Sequence, residues 1–169
     1  SQKGFIQELY LRQEKSTVSA RVWYENADRN LPSSMLIQQP NLRETQSDES
    51  LRTMLNYDRF FRLNKFSFTG AWLMNRLNYT NSLALIDSRN LSETLVLKAS
   101  MQRHIAEFTN LKVTLNEEVN YVKSNNYEGN TTRNTVSLTA SAERNTNGRI
   151  GALLLLRQIL DTRNFLIPA

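Results

Sequence analysis

Apolar and polar residues alternate along most of this chain. The clearest alternation covers residues 135–143, where Val136, Leu138, Ala140 and Ala142 are separated by polar residues. The same pattern recurs in four other segments, at residues 18–25, 51–58, 94–101 and 111–116. Side chains two residues apart share a face of a β-strand, whereas the α-helix has a period of 3.6 residues. The pattern therefore predicts five strands, each with an apolar face and a mostly polar face.

Three other segments predict strands less clearly. In residues 5–12 a polar residue interrupts the apolar face, and residues 150–160 are apolar on both faces. The latter segment follows Asn147-Gly148, a sequence typical of hairpin turns, which favours a strand over a buried helix. In residues 65–79 the alternation is ambiguous around Gly70, where we expect a β-bulge. The chain is thus expected to contain about eight strands.

The connections between these strands alternate in length. Short turns are predicted around residues 13–16, 62–64, 104–108 and 145–148, and long polar loops around residues 26–47, 80–92 and 123–132. Outer-membrane barrels have short turns at one end and long loops at the other, with aromatic residues near the strand ends. The predicted strands also reach about 9 residues or more, which is the length that a tilted strand needs to cross a bilayer.

These features predict an all-β fold, namely an antiparallel up-and-down transmembrane β-barrel segment of about eight strands with alternating short turns and long loops. We interpret residues 1–169 as one β-barrel wall segment. The alternative is a soluble all-β binding or adhesion module, in which the apolar faces would form an internal core. The two hypotheses differ in whether the apolar faces point toward lipid or toward other protein layers.

Composition narrows the classes of function. The mean hydropathy is -0.51, and the longest apolar run, Ile150 to Leu156, is far shorter than the roughly 20 residues of a membrane-spanning helix. The 21 Lys and Arg residues exceed the 16 Asp and Glu residues and give a net charge of +5, but they are scattered, so we expect no nucleic-acid binding. Cysteine is absent, which excludes disulfides, thiolate metal sites and a catalytic Cys.

The sequence offers little material for catalysis. His104 is the single histidine and is predicted to lie in a short turn, away from any Ser and Asp partner of a catalytic triad. Glu117 and Glu118 are adjacent, so they should point to opposite faces of one strand and cannot form an acid/base pair. There is also no Gly-rich phosphate loop or zinc-binding spacing. We therefore expect no enzyme, no catalytic residues, no metal site and no cofactor.

One part of the sequence resembles a known family. The stretch 22–32, VWYENADRNLP, resembles the end of a barrel strand and the start of an external loop in TonB-dependent outer-membrane receptors. Residues 46–52, QSDESLR, are similar to the opening of the next strand in that family, and residues 75–79, NRLNY, to the end of a following strand. The resemblance extends as a pattern over nearly all of the chain and is most specific at residues 22–52.

The resemblance implies a receptor in the bacterial outer membrane, with a barrel of about 22 strands around a plug. Such a receptor imports a scarce solute, and the loop style favours the cobalamin or siderophore type. The implied partners are outer-membrane lipid, the plug domain and remaining strands of the same receptor, the periplasmic energy-coupling protein TonB, and a small-molecule ligand. Because we find no plug domain and no signal peptide, we expect the chain to be an internal piece of the barrel wall.

Candidate ligand-binding residues lie near the predicted long loops. We select Trp23, Arg29, Asn30 and Tyr127, because aromatic and guanidinium groups make strong directional contacts where they cluster at the base of a loop. The same residue types also occur in aromatic girdles and on solvent-facing surfaces. The sequence does not identify the ligand.

Overall fold

The computed structural model describes residues 1–31, 44–82, 84–106, 109–126, 129–146 and 150–165. These residues form eight β-strands and no helix. The strands are β1 (Gln2–Arg12), β2 (Ser16–Leu31), β3 (Glu44–Phe61), β4 (Asn64–Asn81), β5 (Ile86–Ala106), β6 (Thr109–Ser124), β7 (Asn130–Thr146) and β8 (Ile150–Phe165). The prediction of an all-β chain with about eight strands is confirmed.

All eight strands belong to one antiparallel sheet. Their order in the sheet is their order in the chain, β1 to β8, so each strand pairs only with its sequence neighbours. The predicted up-and-down arrangement is therefore confirmed. Over the described residues, β1 and β8 do not touch each other and form the two edges of an open sheet.

The pairing register places the apolar faces of all eight strands on the same side of the sheet. Val18 in β2, for example, lies opposite Tyr57, which lies opposite Phe68, and this row continues through Ala99 to Leu115. We call this side the apolar face and the other side the polar face. The apolar face comprises every second residue of Phe5 to Leu11, Val18 to Tyr24, Leu51 to Tyr57, Phe66 to Met74, Leu95 to Met101, Leu111 to Tyr121, Val136 to Ala142 and Leu154 to Leu160.

The expected β-bulge at Gly70 is wrong. Gly70 pairs with Leu55 and Leu97 in an unbroken register, so β4 keeps its parity throughout. A side chain at Gly70 would meet the Phe68 ring at 3.6 Å and the Leu97 side chain at 3.7 Å. These neighbours already cover the position on the apolar face, and therefore the strand can continue through a residue that has no side chain.

The strands extend further into the polar segments than the sequence predicts. Residues 86–92 were expected in a long loop, yet Ile86 pairs with Asn81 and Asn90 pairs with Leu77. The connection between β4 and β5 is thus residues 82–85, and that between β6 and β7 is residues 125–129. Both are shorter than predicted, because polar residues on both faces hide a strand from a pattern based on alternation.

A smaller correction of the same kind concerns His104. The sequence predicts a turn at this position, but His104 pairs with Asn110 as part of β5. The register shifts between His104 and Ala106, at the end of the strand. β5 thus continues to Ala106, within the segment predicted as a turn, and β6 begins at Thr109.

The limits of the apolar face differ between β2 and β7, although in β6 Tyr121 still lies in the same row as Tyr24. In β2, Tyr24 is the apolar residue of this face that lies farthest from the short turns. The row of paired residues across the sheet that contains Tyr24 reaches Thr132 in β7. In β7, the apolar residue of this face that lies farthest from the short turns is Val136, which is two same-face positions nearer the short turns than Thr132. The limit of the apolar face on the short-turn side shifts by the same amount. The row through Val18 reaches Leu138, whereas the apolar face of β7 continues for two more same-face positions to Ala142. The shift is about 13 Å along the strands over about 24 Å across the sheet from β2 to β7, so the limits of the apolar face are inclined by about 30° to the rows of paired residues.

The described residues contain almost no buried core. Ala27, which is 3% exposed, is the one buried apolar residue among them. A single sheet presents both of its faces to the surroundings unless another layer covers one of them. Side-chain chemistry on each face therefore determines what the sheet can contact.

Candidate functional site

The apolar face is open across the middle of the sheet. Leu138 is 50% exposed, Leu115 is 49% exposed and Leu95 is 41% exposed, although each lies on an interior strand. Eight strands with an apolar stretch of about 23 Å would present about 900 Å². Exposed apolar patches of soluble monomers rarely exceed about 300–600 Å², and larger ones mark contacts with protein or membrane. The apolar face is therefore a candidate contact surface.

Ion pairs join neighbouring strands on the polar face. Arg21 in β2 pairs with Glu8 in β1 at 2.9 Å, and Arg133 in β7 pairs with Asp161 in β8 at 2.8 Å. Lys65 and Asp58 form a third pair at 3.2 Å between β4 and β3. Such partly exposed pairs contribute about 0–1 kcal/mol each, so their main effect here is to fix side-chain positions.

Amide and hydroxyl groups fill the middle of the polar face. The Asn56 amide donates to the Ser19 hydroxyl at 3.3 Å, and the Asn56 carbonyl oxygen accepts from the Thr69 hydroxyl at 3.0 Å. On β5 and β6, the Thr94 hydroxyl donates to Asn120 at 2.7 Å. These amide and hydroxyl groups form hydrogen bonds with one another. They also have further donors and acceptors that can bind water or a polar partner.

A hollow of about 360 Å³ lies on the polar face, toward the ends of β2 to β5 that are away from the short turns. Its floor consists of small residues, among them Ala27, Ser50 and Ser92, and its rim includes Arg29 and Asp48. The Arg29 and Asp48 charged groups are 3.7 Å apart. The volume is at the lower end of the range for small-molecule sites, about 300–1,000 Å³. The hollow can therefore contact a small polar group or part of a larger solute.

The selected ligand-binding residues do not form one cluster. Trp23 and Arg29 both lie on the polar face, but Glu25 and Ala27 separate them along β2, a distance of about 20 Å. Asn30 lies on the opposite side of the sheet, and Tyr127 lies outside the described residues. Of the three described residues, Arg29 alone borders the hollow.

Two polar-face residues were missed by the sequence reasoning. The Arg52 guanidinium lies 4.9 Å from the centre of the Trp23 ring, in the geometry of a cation–π contact. Asp48 pairs with Arg29 across the hollow. Both contacts join β2 and β3, so they depend on the register between strands that are separated by a long connection. Alternation reveals which face a residue occupies but not its cross-strand neighbour.

The adjacent carboxylates point to opposite faces of β6, as predicted. Glu117 lies on the apolar face between Leu97 and Val136, whereas Glu118 lies on the polar face between Val96 and Thr135. The Asn134 amide donates to the Glu117 carboxylate at 3.3 Å, which partly compensates the charge. The sequence leads us to expect Glu117 near the outer boundary of the apolar face, but Val119 and Tyr121 follow it on that face of β6, so Glu117 lies two same-face positions inside the boundary. Asn134 is the first polar residue above Val136 on that face in β7, so this contact joins Glu117 to the upper limit of the apolar region.

Within the residues that the structure describes, no group of three or more His, Cys, Asp and Glu side chains could hold a metal ion. None of these residues belongs to a helix that is long and apolar enough to span a membrane.

The comparisons with known proteins add no family. The chain matches no protein-family model, and a search of curated proteins finds no matching sequence.

Proposed function

We propose that the chain is part of the wall of an outer-membrane transport barrel, with its apolar face toward lipid and its polar face toward a hydrated interior. The observation that carries this proposal is the continuity of the apolar face over eight strands without a covering layer among the described residues. Lipid is a partner that can cover such a surface at every point, because acyl chains adapt to its shape. In a transmembrane barrel, lipid-facing apolar residues alternate with lumen-facing polar ones.

The dimensions of the apolar face support a membrane location. It extends from Val18 to Tyr24 in β2 and from Phe66 to Met74 in β4, or about 20–30 Å along the strands. The apolar band of outer-membrane barrels is about 25 Å tall. Its oblique course of about 30° is close to the tilt of about 35–45° between barrel strands and the membrane normal.

A soluble adhesion or binding module accounts less well for these strands. It would require a second layer, of about the same area, to cover the apolar face. Strands β2 to β7 have 16 to 21 residues, and strands of globular sheets most often have about 5 or 6. Long, tilted strands whose polar ends extend beyond an apolar band are typical of barrels that project above a membrane.

We further propose that the barrel belongs to a TonB-dependent receptor of the cobalamin or siderophore type. The resemblance at residues 22–52 supports this assignment, and the same segment contributes Arg29 and Asp48 to the hollow. A plug domain would contact the amide and hydroxyl groups of the polar face, and TonB would act on the plug from the periplasm. The imported solute would meet the polar face near the hollow, without any covalent chemistry by the wall.

A pair of arginine substitutions tests the orientation of the sheet. We expect Leu138→Arg to weaken insertion into phosphatidylcholine vesicles by about 2–4 kcal/mol, because a cation would lie within hydrocarbon. Thr139→Arg on the polar face should be tolerated. Ser137 is a poorer control than Thr139, because Ser137 is 6% exposed and leaves little room for a long side chain.

The measurement is the fraction of chain that floats with the vesicles across a urea series, with circular dichroism as a check on strand content. Equal loss of insertion in both variants would contradict the proposed orientation. If the unmodified chain is a cooperative, monomeric protein in buffer without detergent or lipid, the membrane proposal fails and the soluble alternative is favoured.

A further inference from the structure

Three arginines border the apolar face at its short-turn end. Arg59 in β3, Arg103 in β5 and Arg144 in β7 each lie one same-face position nearer the short turns than Tyr57, Met101 and Ala142, respectively. Phe61 and Ile105 follow Arg59 and Arg103 on the same side, at the very ends of β3 and β5. The register places all three on the same side of the sheet as the apolar face, and all three are exposed. We call them the arginine margin.

The arginine margin follows the oblique course of the apolar face. The row through Arg59 reaches Met101 in β5, and Arg103 lies one same-face position further toward the turns. The row through Arg103 reaches Ala142 in β7, and Arg144 again lies one position further. From β3 to β7, the line of the three arginines is therefore inclined by about 35° to the rows of paired residues. The three guanidinium groups therefore keep a nearly constant level relative to the tilted apolar region, as groups at one membrane boundary would.

The two ends of the apolar face differ in how their charges are compensated. Near the opposite end, Arg76 pairs with Glu49 at 2.9 Å and Arg89 pairs with Asp87 at 2.7 Å. No carboxylate of the described residues lies within 4.0 Å of any guanidinium group in the arginine margin. The Arg59 guanidinium instead lies 4.6 Å from the centre of the Phe61 ring. The margin thus carries positive charge without internal compensation.

The intervening strands supply neutral hydrogen-bonding groups to the same margin. Ser16 in β2 lies opposite Arg59, Asn64 in β4 lies opposite Arg103, and Thr109 in β6 lies opposite Arg144. Guanidinium groups bind phosphate oxygens with two parallel hydrogen bonds, and hydroxyl and amide groups can add single ones. A phosphate diester positioned just outside hydrocarbon is the chemistry that this margin would recognise.

We propose that the arginine margin binds the phosphate groups of phospholipid headgroups in the leaflet on the short-turn side. The inference rests on the proposed membrane function and adds the lipid chemistry and the leaflet. Acyl chains of the bound lipids would cover the apolar face directly above the arginines. Anionic phospholipids are favoured over zwitterionic ones, because the margin has no carboxylates of its own within the described residues.

The test compares binding of the full chain to two kinds of vesicle, one of phosphatidylcholine and one in which phosphatidylglycerol replaces part of it. Each basic residue near an anionic surface contributes about a fivefold gain in binding, so the combined Arg59→Gln, Arg103→Gln and Arg144→Gln variant should lose about 100-fold of the preference for phosphatidylglycerol at low salt. The matched control replaces Arg12, Lys98 and Lys112, which lie exposed on the polar face, by Gln. The control should keep most of the preference.

Equal preference in the two triple variants overturns the inference while leaving membrane insertion intact. Failure of the unmodified chain to bind phosphatidylcholine vesicles would instead overturn the proposed function, and the inference with it. A second measurement needs no variant: raising the ionic strength should abolish the preference of the unmodified chain, and a salt-independent preference contradicts the proposal. Inorganic phosphate should displace the chain no more than chloride of equal ionic strength. Specific displacement would indicate a site for free phosphate rather than for lipid.

Discussion

Leu138 and Ser137 are neighbours in β7, yet Leu138 is 50% exposed and Ser137 is 6% exposed. On the polar face, side chains bind one another through ion pairs such as Arg133 with Asp161 and through amide contacts such as Asn56 with Thr69. On the apolar face, large side chains lie beside one another without a second layer in the described residues. The polar face can therefore meet water as it is, whereas the apolar face needs an external partner.

β8 is an exception to this difference between the two faces, because it has apolar residues on both. Leu155 lies on the polar face and is 58% exposed, and Leu156 lies on the apolar face and is 62% exposed. We expect Leu156→Lys to weaken vesicle insertion by about 2 kcal/mol, since the charge would enter hydrocarbon. Leu155→Lys should leave insertion unchanged. Flotation across a urea series measures both.

The Leu155→Lys variant also tests the exposed edge. β8 has an unpaired side within the described residues, and a charge on an edge strand opposes pairing with other chains. Light scattering during refolding should show less aggregation for Leu155→Lys than for the unmodified chain. If both lysine variants lost insertion equally, β8 would not distinguish the two faces as the register indicates.

The contacts within the polar face can be weakened selectively. We expect Asn56→Ala to reduce the free energy of unfolding in vesicles by about 1–2 kcal/mol, because the Ser19 and Thr69 hydroxyl groups each lose a partner. Asn116→Ala is the matched control, because the Asn116 side chain, on the same face, makes no hydrogen bond to another described residue. Urea unfolding followed by tryptophan fluorescence measures the difference. Equal destabilisation would show that the Asn56 contacts add nothing specific.

The smallest effect is expected where a charge interrupts the apolar face. Glu117→Leu should favour insertion by about 1 kcal/mol, because it removes a carboxylate from between Leu97 and Val136. Glu117→Gln, which keeps a hydrogen-bonding group for Asn134, should have an intermediate effect. Flotation with phosphatidylcholine vesicles again provides the measurement. Weaker insertion of Glu117→Leu would indicate that Glu117 serves a contact beyond Asn134.

The alternation in residues 135–143 predicted the structure well, because one face of β7 is apolar and the other is polar along the whole segment. The same reasoning correctly placed Glu117 and Glu118 on opposite sides of β6. These successes depend on a local property, the period of two residues along a strand. They do not require knowledge of which strands are neighbours.

The features that the sequence did not predict depend on pairing. Residues 87–90 are polar on both faces, so only their partners in β4 identify them as a strand. In the sequence, Gly70 suggests a β-bulge, but in the structure Phe68 and Leu97 cover this position within a regular strand. The hollow beside Arg29 and the contact between Trp23 and Arg52 likewise require the register of β2 with β3.

The order of the strands has a consequence for how the sheet forms. Every strand pairs with the segment just before it or just after it in the chain, so no strand has to wait for a distant one. Folding is faster when contacts are local in sequence, and single hairpins form within microseconds. The sheet can therefore grow by successive hairpins, each of which satisfies backbone groups on the edge of the one before. A hairpin could also be added or lost during evolution without changing the pairing inside the others.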